Sequence, residues 1–591
     1  MDKEEFTILR YISELGGLPT PTQIAEYTKT PLSHVAQLIE TLKQRGKLNE
    51  AGGIAPEGLE SLEPYRVKNA IILSAGLGKR FMPVSWERPK GLLSVKGDIL
   101  IERLIEQLRD AGIREIIVVV GAMIEKFLYL REKYNVKFVI NNEYSIKNTH
   151  SSVYYAKEYL GNSYIICSDN YYPRNMFHQY EYRAFYCSIF KPGTHETERG
   201  LVLDAEQRII STDKPSCDQW VMYGHAYLDH PFASKFIPFM TKFWNQPGVE
   251  DMYWETIWAK DIDLLRLWAL PCDPADILEF DSMAELNAFD PCFLNNNKVN
   301  IFKNICNVLN CKIEDIQQIE PINKGLTNHK FKFRLNGESY IYRHSSINSK
   351  LLIDRKREWA VLQETKKNGL SHSLIYMDAE EGWMISKFIN ETETFKPSES
   401  RHIGLLVQKL KILHDNNICS GFEYDYKKES DRILGLLKKL DYEKYKIAVH
   451  ETEFMLPVFE FLDNDKWQIC LCHNDIYADN ILIENDRLEL IDWEYGGDSD
   501  IGFDICKLFS MSDVPLEDID KLLFPYYGRM TTIEEKKHLF ACSAVCYYYW
   551  FVWGLYKSAL NHVEMKNVPV WYEKMANYRK MVLEQPDRSE R

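Results

Sequence analysis

A polar turn between two apolar runs constrains this chain more than any other feature of its sequence. The segment Leu471–Ile483 places Asp475 and Asn480 five residues apart, and Asp492 follows twelve residues later at the end of a second apolar run. Phosphoryl transfer from ATP needs a carboxylate to accept the substrate hydroxyl proton, and an Asn and an Asp to hold metal ions on the phosphates. This order of residues is that of kinases. It predicts a small-molecule kinase in the last third of the chain.

Length and composition bound the remaining expectations. A chain of 591 residues is too long for one core, and we expect a domain at residues 1–66, a second at 67–291 and a third at 299–591. The net charge of -14 argues against general nucleic-acid affinity, because surfaces that bind phosphate backbones are basic. The thirteen cysteines are scattered without a CxxC pair, and the first residues lack the pattern of a signal peptide. Both observations favour a cytoplasmic protein with reduced thiols.

One segment has the composition of a membrane helix. Leu539–Tyr556 contains no formally charged residue over 18 positions, which is the lower limit for a membrane span. Its Tyr and Trp residues are more typical of interfaces and pockets than of a bilayer centre. We therefore expect a buried helix that carries aromatic ligand contacts, and no membrane association.

The first 66 residues resemble a winged-helix domain. Helical periodicity in residues 6–15 is followed by two further helical patterns at Thr20–Tyr27 and Pro31–Leu42, and a glycine-rich segment at Gly46–Gly58 has the place of the wing. Such domains usually bind DNA through a basic recognition helix. Here that helix offers little beyond His34, Lys43 and Arg45, so a dimerisation, docking or sensing module is the favoured interpretation, which leaves DNA binding as an alternative.

The second domain begins with strand, helix and strand patterns that predict a parallel α/β sheet. Its first strand runs directly into a glycine-rich loop, in which Gly76 and Gly78 let backbone amides approach a triphosphate, while Arg80 and Lys90 neutralise the pyrophosphate that leaves. Together with the Pro89-Lys90 pair that follows it, the loop resembles that of the sugar-nucleotide pyrophosphorylase-like nucleotidyltransferases. The resemblance implies a Rossmann-like α/β fold with Arg80 and Lys90 as catalytic groups. The nucleotide-binding residues predicted here are Leu73, Ala75, Gly76, Gly78, Lys79, Arg80 and Lys90.

Such enzymes use a metal ion held by acidic groups. Asp169 ends an apolar strand pattern, and Asp281 resembles the second ligand position of the family. Within the superfamily, residues 68–291 are most similar to the bacterial CTP:phosphocholine cytidylyltransferases, by the segments Asn148–Tyr154, Ser168–Tyr171 and Trp220–Tyr227. A trimethylammonium group needs aromatic faces and a nearby carboxylate. The residues predicted to supply them are Tyr171, Trp220, Tyr253, Trp254 and Glu255.

The third domain resembles the choline/ethanolamine kinase and aminoglycoside phosphotransferase family, with a protein-kinase-like α+β fold. The strand-turn-strand pattern of residues 322–333 would cover the nucleotide phosphates through Gly325, Thr327 and Asn328. The resemblance implies that Arg343 binds phosphate and pairs with Glu358, that Asp475 is the base, that Asn480 and Asp492 hold Mg2+, and that Asp504 braces the loop. Trp550 and Trp553 share one helix face and resemble the choline-binding pair of that family. The substrate-binding residues that this implies are Glu494, Trp550, Trp553 and Tyr572.

The two resemblances meet in one pathway. We expect a bifunctional, Mg2+-dependent enzyme that uses ATP to convert choline to phosphocholine and CTP to convert phosphocholine to CDP-choline. Two alternatives stay open. One is a kinase and nucleotidyltransferase that act on ethanolamine or a sugar, and the other is a metabolite-sensing DNA-binding regulator. We also expect that the N-terminal domain could form a homo-oligomer.

Overall fold

The computed structural model describes residues 1–195, 198–213, 216–280, 282–322, 328–345, 352–511, 514–561 and 564–584. The chain divides into two compact units, Met1–Asn304 and Ile305–Arg591. The predicted nucleotidyltransferase domain lies in the first unit and nearly all of the predicted kinase domain in the second. The predicted limits of 291 and 299 precede the division by a few residues.

The N-terminal segment of the first unit is helical. Its helices are α1 Lys3–Leu15, α2 Pro21–Thr28, α3 Leu32–Gln44 and α4 Pro56–Leu62. Thr20 and Gln23 form a capping box at the start of α2, and a single antiparallel bridge joins Leu48 to Ile54 between α3 and α4. His34 at the predicted recognition helix contacts Glu4 at 2.9 Å. The winged-helix assignment stays a prediction.

These helices do not stand apart from the following domain. Phe6 packs between the rings of Tyr65 and Tyr182, at centroid distances of 5.0 and 5.3 Å. Arg10 on α1 forms an ion pair with Glu181 at 3.2 Å. A limit at residue 66 therefore marks a change of secondary structure within one compact unit.

The rest of the first unit is built on a mixed parallel and antiparallel sheet, with a separate two-stranded sheet beside it in the sequence. Its strands are β1 Asn69–Ser74, β2 Ser94–Val95, β3 Asp98–Ile99, β4 Glu115–Val120, β5 Lys137–Ile140, β6 Ser163–Cys167, β7 Phe185–His195, β8 Gly200–Leu203, β9 Ile209–Asp213, β10 Ser216–Leu228 and β11 Trp268–Pro271. Its helices are α5 Leu100–Asp110, α6 Tyr129–Tyr134, α7 Thr149–Tyr155, α8 His230–Phe243, α9 Trp254–Trp258, α10 Met283–Phe289 and α11 Phe293–Asn297, and α12 Asn300–Leu309 crosses the division between the units.

Among the described residues the main sheet has the order β11-β7-β10-β6-β1-β4-β5, in which β6, β1, β4 and β5 run parallel. The strands β6, β1 and β4 are short, apolar and almost fully buried, as parallel strands between helices must be, whereas β5 at the edge is partly exposed. In such sheets ligands bind beyond the carboxyl ends of the strands. The Rossmann-like fold predicted for this region is confirmed.

The second unit begins with an antiparallel sheet of order β12-β13-β14-β16-β15, followed by a mainly helical part. The strands are β12 Gln317–Ile322, β13 Asn328–Leu335, β14 Glu338–Ser345, β15 Leu374–Met377, β16 Met384–Lys387, β17 Glu393–Thr394, β18 Ile469–Cys472, β19 Ile481–Glu484, β20 Arg487–Leu490 and β21 Gly497–Asp500. The helices are α13 Arg355–Lys367, α14 Ser400–Asp415, α15 Tyr426–Leu440, α16 Tyr442–Asn464, α17 Gly502–Ile505, α18 Lys507–Ser510, α19 Ile519–Tyr527, α20 Ile533–Asn561 and α21 Val568–Glu584. The protein-kinase-like fold predicted here is confirmed.

The long apolar helix α20 is the central element of this helical part. By length and composition, Ile533–Leu560 could cross a membrane, but every residue of its apolar 18-residue window is buried inside the protein. It packs against α15, α16 and α21. Burial among other helices therefore explains why α20 is apolar on all sides, as the sequence predicted.

Candidate active sites

In the first unit, the loops that follow β1 and β6 lie side by side. The two strands pair in parallel with Leu73 opposite Cys167, and the amide of Ser168 donates a hydrogen bond to the carbonyl of Leu73 at 3.1 Å. The loops line a cavity of about 450 Å3. It contains these predicted nucleotide-binding and metal-binding residues: Leu73, Ala75, Gly76, Gly78, Arg80, Lys90 and Asp169. The side chain of Lys79 is outside the described part of the chain.

Lys90 connects the two sides of this cavity. Its ammonium forms an ion pair with Asp169, donates a hydrogen bond to the carbonyl of Phe280 at 2.8 Å, and lies 4.3 Å from the ring centroid of Phe81. The ammonium of Lys90 and the carboxylate of Asp169 thus line the same cavity, next to glycines whose backbone amides a ligand can reach. This combination suits a nucleoside triphosphate.

A second carboxylate in the cavity is Glu279. Its Oε1 accepts a hydrogen bond from the amide of Gly224 at 2.8 Å. Burial, with repulsion from Asp169, raises the pKa of Glu279 to about 7. Asp281, the predicted metal ligand, lies outside the described residues. Glu279, two residues before it, was not singled out from the sequence, where it is only one more acidic residue after an apolar stretch.

Gly91 is a further residue of this site that the sequence did not single out. A Cβ placed on Gly91 would lie 2.6 Å from Oγ and 2.8 Å from Cβ of Ser168. The loop of Lys90 can therefore lie this close to the loop of Asp169 only because Gly91 has no side chain.

We expect Gly91→Ala to separate the two loops and to lower cytidylyl transfer at least tenfold, at a cost of about 1–3 kcal/mol in stability, as is typical for overpacking. The control is Gly17→Ala, since a Cβ on Gly17 meets nothing within 4 Å. CTP-dependent pyrophosphate release and thermal unfolding of both variants measure the effect. Equal behaviour of the two would contradict the close packing.

The structure corrects the placement of three predicted aromatic residues, which do not line the cavity. Tyr171 is buried, with Arg103 4.9 Å from its ring centroid. Trp220 lies on β10 with its ring edge against Phe190 at 5.9 Å. Trp254 is buried in the core, where it stacks on Tyr186 at 5.7 Å. Alternation along strands and helix faces decided these orientations, and the sequence motif did not contain that information.

The remaining two predicted contacts differ, since Glu255 is not among the residues that line the cavity. Tyr253 lines it and is 47% exposed, so its ring is accessible to a substrate. Glu255 accepts a hydrogen bond from the hydroxyl of Tyr186 at 3.0 Å, while its buried Oε2 has no hydrogen-bond partner. Burial raises the pKa of Glu255 to about 7.

In the second unit, the loop after β18 is held by Asp504. The two carboxylate oxygens of this buried residue accept hydrogen bonds from the amides of His473 and Asn474 at 2.8 and 2.9 Å. Nδ1 of His473 accepts from the amide of Asp475 at 3.2 Å, so its Nε2 carries the proton and donates to the carbonyl of Ile491 at 2.9 Å. Asp504 therefore has the bracing contacts that the resemblance implied.

Hairpin pairing brings the predicted metal ligands together. Ile481 on β19 pairs with Leu490 on β20, and the amide of Ile491 donates to the carbonyl of Asn480 at 3.0 Å, which places Asn480 beside Asp492. Nδ2 of Asn480 donates to Oδ2 of Asp475 at 3.1 Å. The two residues and Asp475 line one cavity of about 780 Å3.

The three groups differ in charge environment. Burial raises the pKa of Asp475 to about 7. Lys507 opposes this shift, and repulsion from Asp492 adds to it. Oδ1 of Asp475 is buried and has no hydrogen-bond partner. Burial acts to raise the pKa of Asp492, but Lys330 at 3.0 Å and Arg343 together outweigh it and lower the pKa of that carboxyl. The cavity thus combines a carboxylate that can take up a proton with a second that stays ionised.

A buried ionic network supports the other side of this cavity. Arg343 forms an ion pair with Glu358, and Arg355 contacts the other oxygen of Glu358 at 2.6 Å. Arg343 itself lines the cavity, 4.0 Å from Asp492. Asn328 donates to Glu494 at 2.7 Å and accepts from Arg355, so it positions Glu494 and does not line the cavity as predicted. Gly325 and Thr327 are outside the described residues.

The same cavity has an aromatic end. Trp550 and Trp553 lie 5.6 Å apart on one face of α20, and Trp550 lies 5.2 Å from Tyr495 and 6.0 Å from Trp571. Tyr477 adds a fifth ring, 6.3 Å from Trp550. This set of five rings, hereafter the aromatic cage, opens on the cavity that contains Asp475.

The structure corrects one predicted cage residue. Tyr572 is 40% exposed, packs on Phe551 at 5.4 Å and donates to Glu451 at 3.3 Å, so it faces away from the cavity. Its neighbour Trp571 lines the cavity in its place. The close approach of Trp571 depends on Gly554, where a Cβ would lie 2.9 Å from its ring. Adjacent residues of a helix point in different directions, which is why Trp571 reaches the cavity and Tyr572 does not.

Comparison with known proteins matches one family model to each unit. The Nucleotidyl transferase family model matches residues 69–211, and the Choline/ethanolamine kinase model matches residues 319–532. The choline-phosphate cytidylyltransferase of Streptococcus pneumoniae is 34% identical over 228 residues, which are 39% of this chain and 99% of that protein. The chain belongs to the nucleotidyltransferase family that includes this enzyme. Its second unit carries a choline/ethanolamine kinase domain.

Further relatives match one or the other unit. A 2-aminoethylphosphonate cytidylyltransferase of Lancefieldella rimae is 36% identical over 38% of this chain and 92% of its own, and Protein LicA of Haemophilus influenzae is 25% identical over 39% of this chain and 70% of its own. A solved structure of the S. pneumoniae CTP:phosphocholine cytidylyltransferase LicC is 35% identical and covers 38% of this chain and 98% of that one, with a TM-score of 0.37. The choline kinase LicA of S. pneumoniae is 18% identical over 48% of this chain and 98% of its own, with a TM-score of 0.41.

Proposed function

We propose that this chain converts choline to CDP-choline in two steps. The kinase domain forms phosphocholine and ADP from choline and ATP, and the nucleotidyltransferase domain forms CDP-choline and pyrophosphate from phosphocholine and CTP. The observation that carries the proposal is the aromatic cage beside Asp475, because rings attract a quaternary ammonium through their faces while the hydroxyl of choline remains free to react.

The first step uses the groups around Asp475. In its ionised form this carboxylate accepts the proton of the choline hydroxyl as that oxygen attacks the γ-phosphorus of ATP. Arg343, held by Glu358, and Lys330 supply positive charge near the phosphates. Asp504 acts through the backbone, since it fixes the loop that carries Asp475.

The second step uses the cavity of the first unit. Amides of the loop at Gly76 and Gly78 and the cations of Arg80 and Lys90 surround the triphosphate of CTP, and a phosphate oxygen of phosphocholine attacks the α-phosphorus in line with the leaving pyrophosphate. Lys90 neutralises charge that develops on the phosphates. Tyr253 and Glu255 are the groups that we assign to the choline head group in this domain.

Both steps fit Mg2+ as cofactor. Oxygen ligands of the type that Mg2+ prefers are present at Asn480 and Asp492 in one cavity and at Asp169 in the other, where Glu279 is a second carboxylate. Bound there, Mg2+ would neutralise phosphate charge. We expect a chelator to stop both reactions. Because ATP and CTP are nucleotides of the cell interior, we also propose a cytoplasmic location.

The experiment that tests the function supplies the purified chain with choline, ATP, CTP and Mg2+, with separate reactions for choline plus ATP and for phosphocholine plus CTP. Mass spectrometry should find phosphocholine in the first, and CDP-choline with pyrophosphate in the second. Ethanolamine, a hexose and 2-aminoethylphosphonate serve as competing substrates. Absence of both choline products would refute the proposal, and a preference for the hexose would favour the sugar alternative.

We expect Trp571→Ala to raise the KM for choline about 5- to 30-fold, which corresponds to about 1–2 kcal/mol for one lost cation–π contact in a desolvated site. The KM for ATP should change little. Tyr572→Ala is the matched control, since the same helix turn carries both residues but Tyr572 faces away from the cavity. A larger effect at Tyr572 in choline kinase assays would contradict the assignment.

For the N-terminal helices we propose a docking or dimerisation role. Glu4 and Glu5 pair with His34, Arg45 and Lys47, so the basic groups near the predicted recognition helix are already balanced by carboxylates. Sedimentation of the full chain would detect a dimer. A salt-dependent shift of promoter DNA would instead support the regulator alternative.

A further inference from the structure

A group of buried sulfur and nitrogen atoms lies beneath the loop of the kinase site. It consists of His414 on α14 and of Cys470 and Cys472, which point to one side of β18 because they are two residues apart on a strand. A ring nitrogen of His414 and the two Sγ atoms lie within 4.8 Å of one another, and all three residues are at most 1% exposed. Neither catalytic step described above uses them.

The imidazole of His414 has one ring nitrogen in an open position. Its Nδ1 is 2.7 Å from the hydroxyl of Tyr526, whereas its buried Nε2 has no hydrogen-bond partner. When Nδ1–H donates to Tyr526, Nε2 keeps a lone pair that can bind a cation. Metal-binding histidines commonly have this arrangement, in which a hydrogen bond at one ring nitrogen fixes the other for the metal.

A carboxylate lies near this imidazole but is not part of the cluster. Oδ2 of Asp504 lies 3.8 Å from Nε2 of His414 and accepts a hydrogen bond from the amide of His473 at 2.8 Å. Asp504 is not among the residues whose ligand atoms all lie within 4.8 Å of one another. A cation bound by the cluster would therefore have two sulfur ligands and one nitrogen ligand from this chain.

Two other groups of this kind in the described part of the chain have no such open position. In the group of Asp500, His538 and Cys542, both ring nitrogens of His538 are occupied, by Asp465 at 3.1 Å and Asp500 at 3.2 Å. In the group of Glu393, Glu399 and His402, both ring nitrogens of the histidine are also occupied. Nδ1 accepts a hydrogen bond from the amide of Lys396, and Nε2 lies 3.1 Å from Glu393. The two carboxylates of this group are at the surface.

We propose that His414, Cys470 and Cys472 bind one thiophilic divalent cation of the Zn2+ class. Two thiolates and an imidazole favour such an ion over Mg2+, which prefers oxygen. The site is thereby distinct from the proposed Mg2+ sites. Binding releases the two thiol protons, so the affinity should increase with pH.

Co2+ is the probe for the test, because coordination by a thiolate gives a charge-transfer absorption that oxygen ligands do not give. The intact chain is titrated with Co2+ under reducing conditions and with excess Mg2+ to occupy the oxygen sites. We expect the sulfur-to-cobalt band to saturate at one ion per chain and Zn2+ to remove it. Cys470→Ser and Cys472→Ser should each weaken Co2+ binding at least tenfold.

Cys419→Ser is the control, since Cys419 is an exposed cysteine near the same strand and its loss should leave the band unchanged. The proposal is overturned if the wild-type chain gives no sulfur-to-cobalt band, a result that needs no variant to fold. It is also overturned if the band persists with unchanged affinity in both strand variants or disappears in Cys419→Ser. Circular dichroism and choline phosphorylation identify a variant that has not folded, and the remaining strand variant then decides.

Discussion

Asp475→Asn is expected to lower kcat/KM for choline phosphorylation by about 10²- to 10⁴-fold, the usual contribution of a general base. The amide keeps the shape of the side chain but cannot accept the proton of the choline hydroxyl. Cytidylyl transfer to added phosphocholine should be unchanged, because that reaction takes place in a different cavity with its own charged groups. Coupled detection of ADP and direct detection of CDP-choline measure the two activities on the same preparation.

The matched control for this change is Asp486→Asn, which makes the same chemical substitution at an exposed turn between β19 and β20. It should leave both activities near those of the unchanged chain. If Asp475→Asn retained more than a tenth of the phosphorylation rate, Asp475 would not be the base and the kinase mechanism would have to be revised.

Lys90→Met is expected to have the second large effect, a loss of about 10²- to 10³-fold in CDP-choline formation, as when one electrostatic contact to a developing charge is removed. The substitution keeps a long apolar chain against Phe81 but removes the cation that pairs with Asp169. The carboxylate of Asp169 would then face the phosphates of CTP without its partner. With choline, ATP and CTP supplied together, phosphocholine should accumulate in place of CDP-choline.

Lys68→Met at an exposed position just before β1 is the control for removal of one positive charge from the same unit. Thermal unfolding of both variants separates a loss of catalysis from a loss of folding. Normal CDP-choline synthesis by a folded Lys90→Met chain would show that Lys90 has no role in the chemistry.

Much of each site could be predicted because its residues are close together in sequence. Asp475 and Asn480 belong to one loop, and the residues from Leu73 to Lys90 belong to one strand and the loop after it. In both cases the residues belong to one local stretch of chain, so spacing and, for the glycine-rich loop, the family resemblance identified groups that the structure places in one cavity. The apolar length of α20 similarly indicated a helix, and its tyrosines and tryptophans indicated burial rather than a membrane.

Residues that reach the sites from distant segments were harder to predict. Trp571, Glu279 and Lys330 line the two cavities, but in the sequence each is an ordinary apolar or charged residue without a motif. Tyr171, Trp220 and Trp254 lie in a matching segment, yet their side chains are directed into the core or along the sheet. Residue type alone did not distinguish the residues that line the cavities from those whose side chains are directed elsewhere.

By itself, then, the sequence determined the two phosphate chemistries, the two enzyme folds and the residues that act within single loops. Only the tertiary structure decided which aromatic residues surround the cavities, that Gly91 and Gly554 permit close approach, and that His414 meets Cys470 and Cys472. The physical reason is that a motif fixes spacing along the backbone, whereas contact across a cavity depends on strand register and on the rotation of each helix, which many weak packing contacts set together.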